Sequence, residues 1–301
     1  MIRSPLIHLI WWSLVLCSSP ARSSGGGTSA LFADLKVRGK GLSPARGRGG
    51  VFTERQRAAY EKIYHQVMDG RVDSLQWHLM ELEEGQVLSA SPGAADLFYG
   101  ASVSKVFTAA AYLHQREGHP GKGGLQDLAD MLVVSSNRSW RRLQVALGEG
   151  SNAAGQAEQL HIVRDLPGME KTIPYRGWYA GVHGNKISAE EMNLFMQHLH
   201  QGALTGSGQI LTLMGACRTL GRRALRWLPA TLQVAGKSGT YHGYTHSGRT
   251  GKPYRAAVRH FTLTFSHGGR TFALTVLSDG RSDRELAVLT GGLFREFVQE
   301  T

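Results

Sequence analysis

The strand signals of this 301-residue chain lie at its two ends, and that separation limits what it can fold into. Ser74 to Met80 and Gln86 to Ser89 read as two strands about a turn at Glu83-Glu84-Gly85. Leu232 to Gly236, His260 to Phe265 and Thr271 to Leu277 read as three more, the last two joined by the hairpin signal His267-Gly268-Gly269-Arg270. From Leu125 to about Leu199 the pattern is mostly helical, broken at Gly148-Glu149-Gly150 and over an irregular stretch at 165–187. Two amphipathic helices bracket the strands. One spans 53–69, with Thr53 as cap and Tyr60, Ile63, Tyr64 and Val67 as its stripe. The other spans 283–299, with Leu286, Leu289, Phe294 and Phe297. Strands at opposite ends bury a face most simply by sharing one sheet. The expected class is α/β (α+β): a five-stranded antiparallel sheet with flanking terminal helices, plus an all-helical subdomain inserted at about 107–227. A cleft is expected where the two halves meet.

Residues 1–21 read as an export signal: Arg3 is the positive start, Leu6 to Cys17 is an apolar run short for a bilayer span, and Ser19-Pro20-Ala21 supplies small residues for cleavage. An uncleaved anchor and lipidation at Cys17 are the alternatives. Residues 22–50 are rich in Gly, Ser and Arg and read as a flexible basic tether, which leaves 51–301 as the folded domain. The expected location is therefore periplasmic or extracellular. With the signal removed, Cys217 is the last cysteine, so no intrachain disulfide is expected, and its apolar setting reads as a buried thiol. The formal charge of +11 suits attraction to anionic cell-envelope polymers. No nucleic-acid module is recognisable. His242 and His246 lie four apart in what reads as a Gly-rich loop, without an evident third ligand, so no metal and no cofactor are expected.

Ser102-Val103-Ser104-Lys105 carries the chemistry. Gly100 closes an extended run, and good helix formers follow, with Val106, Ala109, Ala110 and Leu113 on one face. Ser102 then opens a helix, beside free backbone N–H groups and the positive end of the helix dipole. Lys105 lies one turn on at i+3. A buried amine there loses preference for its charged form and can take the serine proton. Alone, the pattern reads more readily as a capping serine with a solvated lysine, since any helix rich in Ser and Lys can show it.

Two further stretches add to it. Ser135-Ser136-Asn137 lies in a loop between helices; in extended backbone Ser135 and Asn137 point the same way, a hydroxyl to relay a proton and an amide to hold a carbonyl. Lys237-Ser238-Gly239-Thr240 lies on a strand of the second half, where Lys237 is a cationic post for a carboxylate, and Gly236 and Gly239 permit close backbone approach. The order S-x-x-K, S-x-N, K-S-G, each in a different kind of element, resembles the penicillin-recognising serine hydrolases, the serine β-lactamases and D,D-peptidases, and is nearest to class A β-lactamases. The resemblance covers about residues 53–301.

The resemblance implies roles. Ser102 is the nucleophile and forms an acyl-enzyme. Lys105 takes its proton. Ser135 passes a proton to the leaving nitrogen, tuned by Lys237. Asn137 holds the substrate side-chain amide. Lys237 and Ser238 bind the substrate carboxylate, with Gly239 beside them. The N–H groups of Ser102 and Thr240 form the oxyanion hole, a pair of donors worth about 3 kcal/mol each in acyl transfer.

The sequence departs from class A in two ways. It lacks the Glu-x-x-Leu-Asn pattern that supplies the deacylation base, leaving Glu170, in Pro167-Gly168-Met169-Glu170-Lys171-Thr172, as the nearest candidate. The span from Ser102 to Ser135 is also short, so part of a cleft wall is missing. Trp178 and Tyr179 are candidates for the cleft rim. Three functions stay open: hydrolysis of β-lactams, a D,D-peptidase or penicillin-binding protein acting on cell-wall peptides, and a non-catalytic cell-wall-binding relative. A monomer is expected.

Overall fold

The computed structural model describes residues 31–72, 74–247 and 250–299. The export signal expected over residues 1–21 and the first part of the expected tether lie outside them.

The centre is a six-stranded antiparallel sheet of β1 (Ala45–Arg46), β2 (Leu75–Glu81), β3 (Val87–Ala90), β4 (Gln233–His246), β5 (Pro253–His267) and β6 (Arg270–Ser278), in the spatial order β1-β4-β5-β6-β2-β3. Both ends of the chain thus feed one sheet. The central register places Phe261 opposite Val276, and Val276 opposite Trp77. Alternation along β6 sorts the two faces: Phe272, Leu274 and Val276 join one core, Ala273 and Leu277 the other.

The first face is covered by α1 (Glu54–Met68) and α9 (Asp283–Phe294). Both helices open with a capping box, Thr53 with Gln56 and Ser282 with Glu285. They approach closely at Gly292, where a Cβ would lie 2.2 Å from the Tyr60 ring; only glycine fits there.

The second face carries the inserted helices: α2 (Lys105–Gln115), α3 (Gly121–Val133), α4 (Asn137–Leu147), α5 (Asn152–Arg164), α6 (Ala189–His200) and α7 (Ser207–Gly215), whereas the short α8 (Gly221–Leu225) packs against α9 in the core of the first face. The sequence suggests a one-faced stripe for α2, yet every residue from Lys105 to Leu113 is buried. Its neighbours surround it, and its alanines let them come close. Phe107 meets Phe195 of α6 at 4.5 Å between ring centroids. Truncating so buried an aromatic costs about 3–5 kcal/mol.

Three expectations are corrected. The tether is ordered from residue 31 on. Phe32 and Val37 are buried in the helical-side core, Lys36–Val37 pairs with Lys40–Gly41, and Ala45–Arg46 pairs with Val234 and Gln233. Arg218 donates to the carbonyls of Val37, Lys40 and Gly41. Average composition masked these few apolar residues. The same pairing adds a sixth strand to the expected five. Finally, β4 runs on to His246, because β5 pairs with it along its whole length, so His242 and His246 stand on a strand and not in a loop.

Candidate active site

Ser102 lies in a 3₁₀ turn, Ala101–Ser104, that leads straight into α2. The expected helix start is therefore a tighter turn, with Lys105 as the first α-helical residue. The turn is held from several sides. Ala101 just before the serine has φ 47, a left-handed conformation that costs a non-glycine residue about 1–3 kcal/mol and persists only when its surroundings fix it. Gly100 N–H donates to Asn185 O at 3.2 Å. Tyr99 O accepts from His260 Nε2 at 2.8 Å, and His260 Nδ1 accepts from Ser278 N–H at 2.8 Å. The backbone donor on Nδ1 leaves the ring proton on Nε2. Burial lowers the pKa of His260 to about 4, so this neutral tautomer holds through the ordinary pH range.

Strand β4 passes directly against the turn. A Cβ on Gly239 would sit 3.1 Å from Ser102 N, and one on Gly236 would sit 2.6 Å from Thr262 O. The room these glycines provide is filled by the protein itself, not by a ligand as the sequence suggests. Beyond Gly239, Thr240 is exposed, at the place implied for the second oxyanion donor.

Lys105 is the hub. Its Nζ lies 2.6 Å from Ser135 O, 3.1 Å from Ser135 Oγ and 2.8 Å from Asn137 Oδ1. Lys237 Nζ reaches the same Ser135 Oγ at 2.9 Å and Ser238 O at 2.8 Å. Four residues from three distant stretches are thus one hydrogen-bonded group. The backbone that achieves this is not the expected extended one: Ser135 has φ 63, and Asn137 opens α4 behind an N-cap at Ser136. Ser102 is half-buried and borders the group, and among the described residues its hydroxyl has no hydrogen-bond partner.

The electrostatics follow from burial and from cations. Burial, then Lys237, then Arg176, lower the pKa of Lys105 to about 6. Burial lowers that of Lys237 to about 8. Near neutral pH, Lys105 is mostly neutral and Lys237 mostly charged. Lys237 then donates to Ser135 Oγ, the same oxygen that Lys105 Nζ reaches.

Other expected residues sit differently. Ser238 is buried and its hydroxyl donates to Thr219 Oγ1 at 2.7 Å. Glu170 is exposed, and its backbone N–H donates to Glu191 Oε1 at 3.1 Å. Its carboxylate makes no hydrogen bond to Ser102, Lys105, Ser135 or Asn137, and the structure does not bring it into the group. Trp178 is exposed and packs on His183, 4.6 Å between ring centroids, in a small hairpin of Trp178–Tyr179 with Val182–His183. Cys217 is a free, buried thiol.

Two arginines were not singled out from the sequence. Arg223, on α8, donates to Gly239 O at 3.1 Å and Thr240 Oγ1 at 3.0 Å, backed by Asp283 at 3.1 Å. Arg176 donates to Asn137 O at 2.9 Å. Nothing local marks either, since Arg222-Arg223 and Tyr175-Arg176 read as ordinary surface.

The fold has known structural counterparts. A β-lactamase from Chitinophaga pinensis superposes with a TM-score of 0.62 at 17% identity, over 82% of this chain and 100% of that one. The fold is that of the serine β-lactamases. An ancestral class A β-lactamase (TM-score 0.61, 20% identity, 79% of this chain and 99% of that one) and the TLA-3 extended-spectrum β-lactamase (0.62, 13%, 82% and 100%) share it. No protein-family model and no curated protein matches the sequence. In this fold the helical insert lies against one face of the sheet. Here the junction carries Ser102 and Lys105 on the insert side and Lys237 on the sheet side.

Proposed function

We propose that this chain is an exported serine hydrolase that opens a strained or D-alanyl amide through an ester on Ser102. We further propose that it is acylated much faster than it is released. The observation that carries this is the Lys105–Ser135–Lys237 group: a neutral amine within hydrogen-bond reach of one hydroxyl that a second, charged amine also holds. Lys105 takes the Ser102 proton as Oγ attacks the carbonyl carbon. The N–H groups of Ser102 and Thr240 face the oxyanion, each worth about 3 kcal/mol. The proton passes through Ser135 Oγ to the amide nitrogen as the C–N bond breaks, leaving the ester and a free amine. Lys237 and Arg223 attract the carboxylate on the leaving side.

Release of the ester requires an activated water. The charges acting on Lys105 are cationic, Lys237 and Arg176, and among the described residues no carboxylate bonds to it. This supports the penicillin-binding reading, with cell-wall peptides or β-lactams as acyl donors, over rapid β-lactam hydrolysis. The names of the structural neighbours favour the latter, so turnover is the second reading. The geometry gives no support to a non-catalytic relative, for which a buried, hydrogen-bonded lysine pair is an uncompensated expense of stability. Export rests on Arg3, the Leu6 to Cys17 run and Ala21. A monomer drawn to anionic envelope polymers remains part of the reading.

Intact mass after incubation with benzylpenicillin tests it. A stable mass increase equal to the whole β-lactam, absent in Ser102→Ala, is expected. Complete conversion of the drug without a lasting adduct supports turnover instead. Neither adduct nor conversion overturns both.

A further inference from the structure

A cleft of about 750 Å³ opens beside Asn137, between α3, α4 and the backbone at Arg176. Its charge is strongly one-sided. Arg138, Arg141, Arg142 and Arg176 line it, against one acid, Asp127. Asp127 is taken by Arg142, whose Nε lies 2.8 Å from Oδ2. Arg138 and Arg141 are exposed and, among the described residues, have no carboxylate partner. They stand three apart on α4 and so project side by side.

Arg176 is fixed in place before any ligand arrives. Its N–H donates to Gln144 Oε1 at 3.0 Å, and its carbonyl accepts from Gln144 Nε2 at 3.1 Å and Gln156 Nε2 at 2.6 Å. Both glutamines are 1% exposed. Its guanidinium lies 5.7 Å from the Trp140 ring centroid.

Asn137 joins this cleft to the nucleophile. Lys105 Nζ donates to Asn137 Oδ1, so the Asn137 oxygen faces Lys105 and its NH₂ group points away from the amine. An acyl side chain whose carbonyl is met by that NH₂ leads on into the arginines. The chain between Ser102 and Ser135 is too short to raise a further wall across this path.

We propose that the cleft holds a carboxylate borne on the acyl side chain of the substrate, so that the preferred acyl donor is anionic on both sides of its scissile amide. Guanidinium forks match a carboxylate with two parallel hydrogen bonds, which a lone cation does not. The proposal rests on the serine-hydrolase reading for the direction in which the substrate lies, but its test does not require acylation.

Ser102→Ala protein is titrated calorimetrically with benzylpenicillin and with its α-carboxylated analogue carbenicillin. The analogue is expected to bind about tenfold tighter, on the scale of one charge-assisted contact. The ratio falls to within about twofold when Arg138→Gln and Arg141→Gln are added, and also at high salt, because surface charges are screened within about 8 Å at physiological ionic strength. Equal binding of the two compounds overturns the proposal, as does a preference that survives the double substitution, or no binding of either. Failure of wild-type protein to be acylated by benzylpenicillin, with the carboxylate preference intact, sinks the hydrolase reading and leaves the anion cleft standing.

Discussion

Two loops flank the nucleophile, and they spend their polar groups differently. The short loop at 134–137 turns Ser135 and Asn137 inward, and three of its oxygens meet Lys105 Nζ. The longer stretch at 165–187 spends its polar contacts on its own backbone and its neighbours. Glu191 accepts from the N–H groups of Glu170, Lys171 and Thr172, and Lys186 Nζ donates to His246 O. The charge this stretch sends toward Lys105 is the cation of Arg176. In the proposed reaction the first loop serves proton transfer during C–N cleavage. The second is a braced wall that brings no carboxylate to water. The difference separates the two half-reactions of a serine hydrolase, and each can be attacked on its own.

The largest effect is expected at Lys105. Lys105→Met removes the proton acceptor, and acylation by benzylpenicillin should fall by about 10⁴-fold or more, as when one member of a catalytic unit is lost. The same change should stabilise the fold. The amine titrates near 6 when folded and near 10.5 when unfolded, so between those values the unfolded chain binds the extra proton. Stability therefore rises with pH across that window, and at pH 7 the wild type bears most of the penalty of a buried amine. Removing it should add about 0.5–2 kcal/mol, read as a higher urea midpoint. Loss of stability together with loss of activity would mean that the lysine is a structural tie.

Much of this contrast is legible in the chain. The motif order points to Ser102, Lys105, Ser135 and Lys237, because nucleophile chemistry restricts residue type and order, and the fold joins Lys105, Ser135 and Lys237 by hydrogen bonds. The shared sheet followed from strands at both ends. What the sequence hides is mostly long-range. Arg176 and Arg223 act through positions that only the fold makes adjacent. Val37 and Phe32 are apolar residues in a Gly- and Arg-rich stretch, and composition averages them away. Ser135 adopts φ 63, which no local rule forces on a serine, so the sequence suggests an extended loop there. The buried flanks of α2 escaped because alanine marks a surface helix and a crowded one alike.

A smaller effect is expected from Arg176→Gln. Acylation needs neutral Lys105 and charged Lys237, so its rate should rise with pH through about 6 and fall above about 8. Arg176 lowers the Lys105 value. Its removal should move the rising limb upward by roughly half a pH unit, equivalent to about 0.7 kcal/mol for a partly solvated charge pair. The falling limb, set by Lys237, should stay in place. Pseudo-first-order acylation rates from pH 5 to 9 give both limbs. A rising limb that shifts down, or a falling limb that shifts with it, would break the assignment of the two amines.

The smallest effect is expected at Glu170, and it bears most directly on the second loop. Glu170 is the carboxylate that sequence offers for activating the deacylating water. Its side chain is exposed, and the stretch that carries it is anchored through backbone N–H groups, which a side-chain substitution leaves intact. Glu170→Gln keeps size and shape and removes only the charge. The loop should therefore hold its place, and the loss of acyl-enzyme mass with time should match wild type within about twofold, the scatter expected of surface changes near ±0.5 kcal/mol. A tenfold slower release with unchanged acylation would show that the loop swings Glu170 to the ester once the site is occupied. The two loops would then divide the reaction between them, and the wall described above would be a working part.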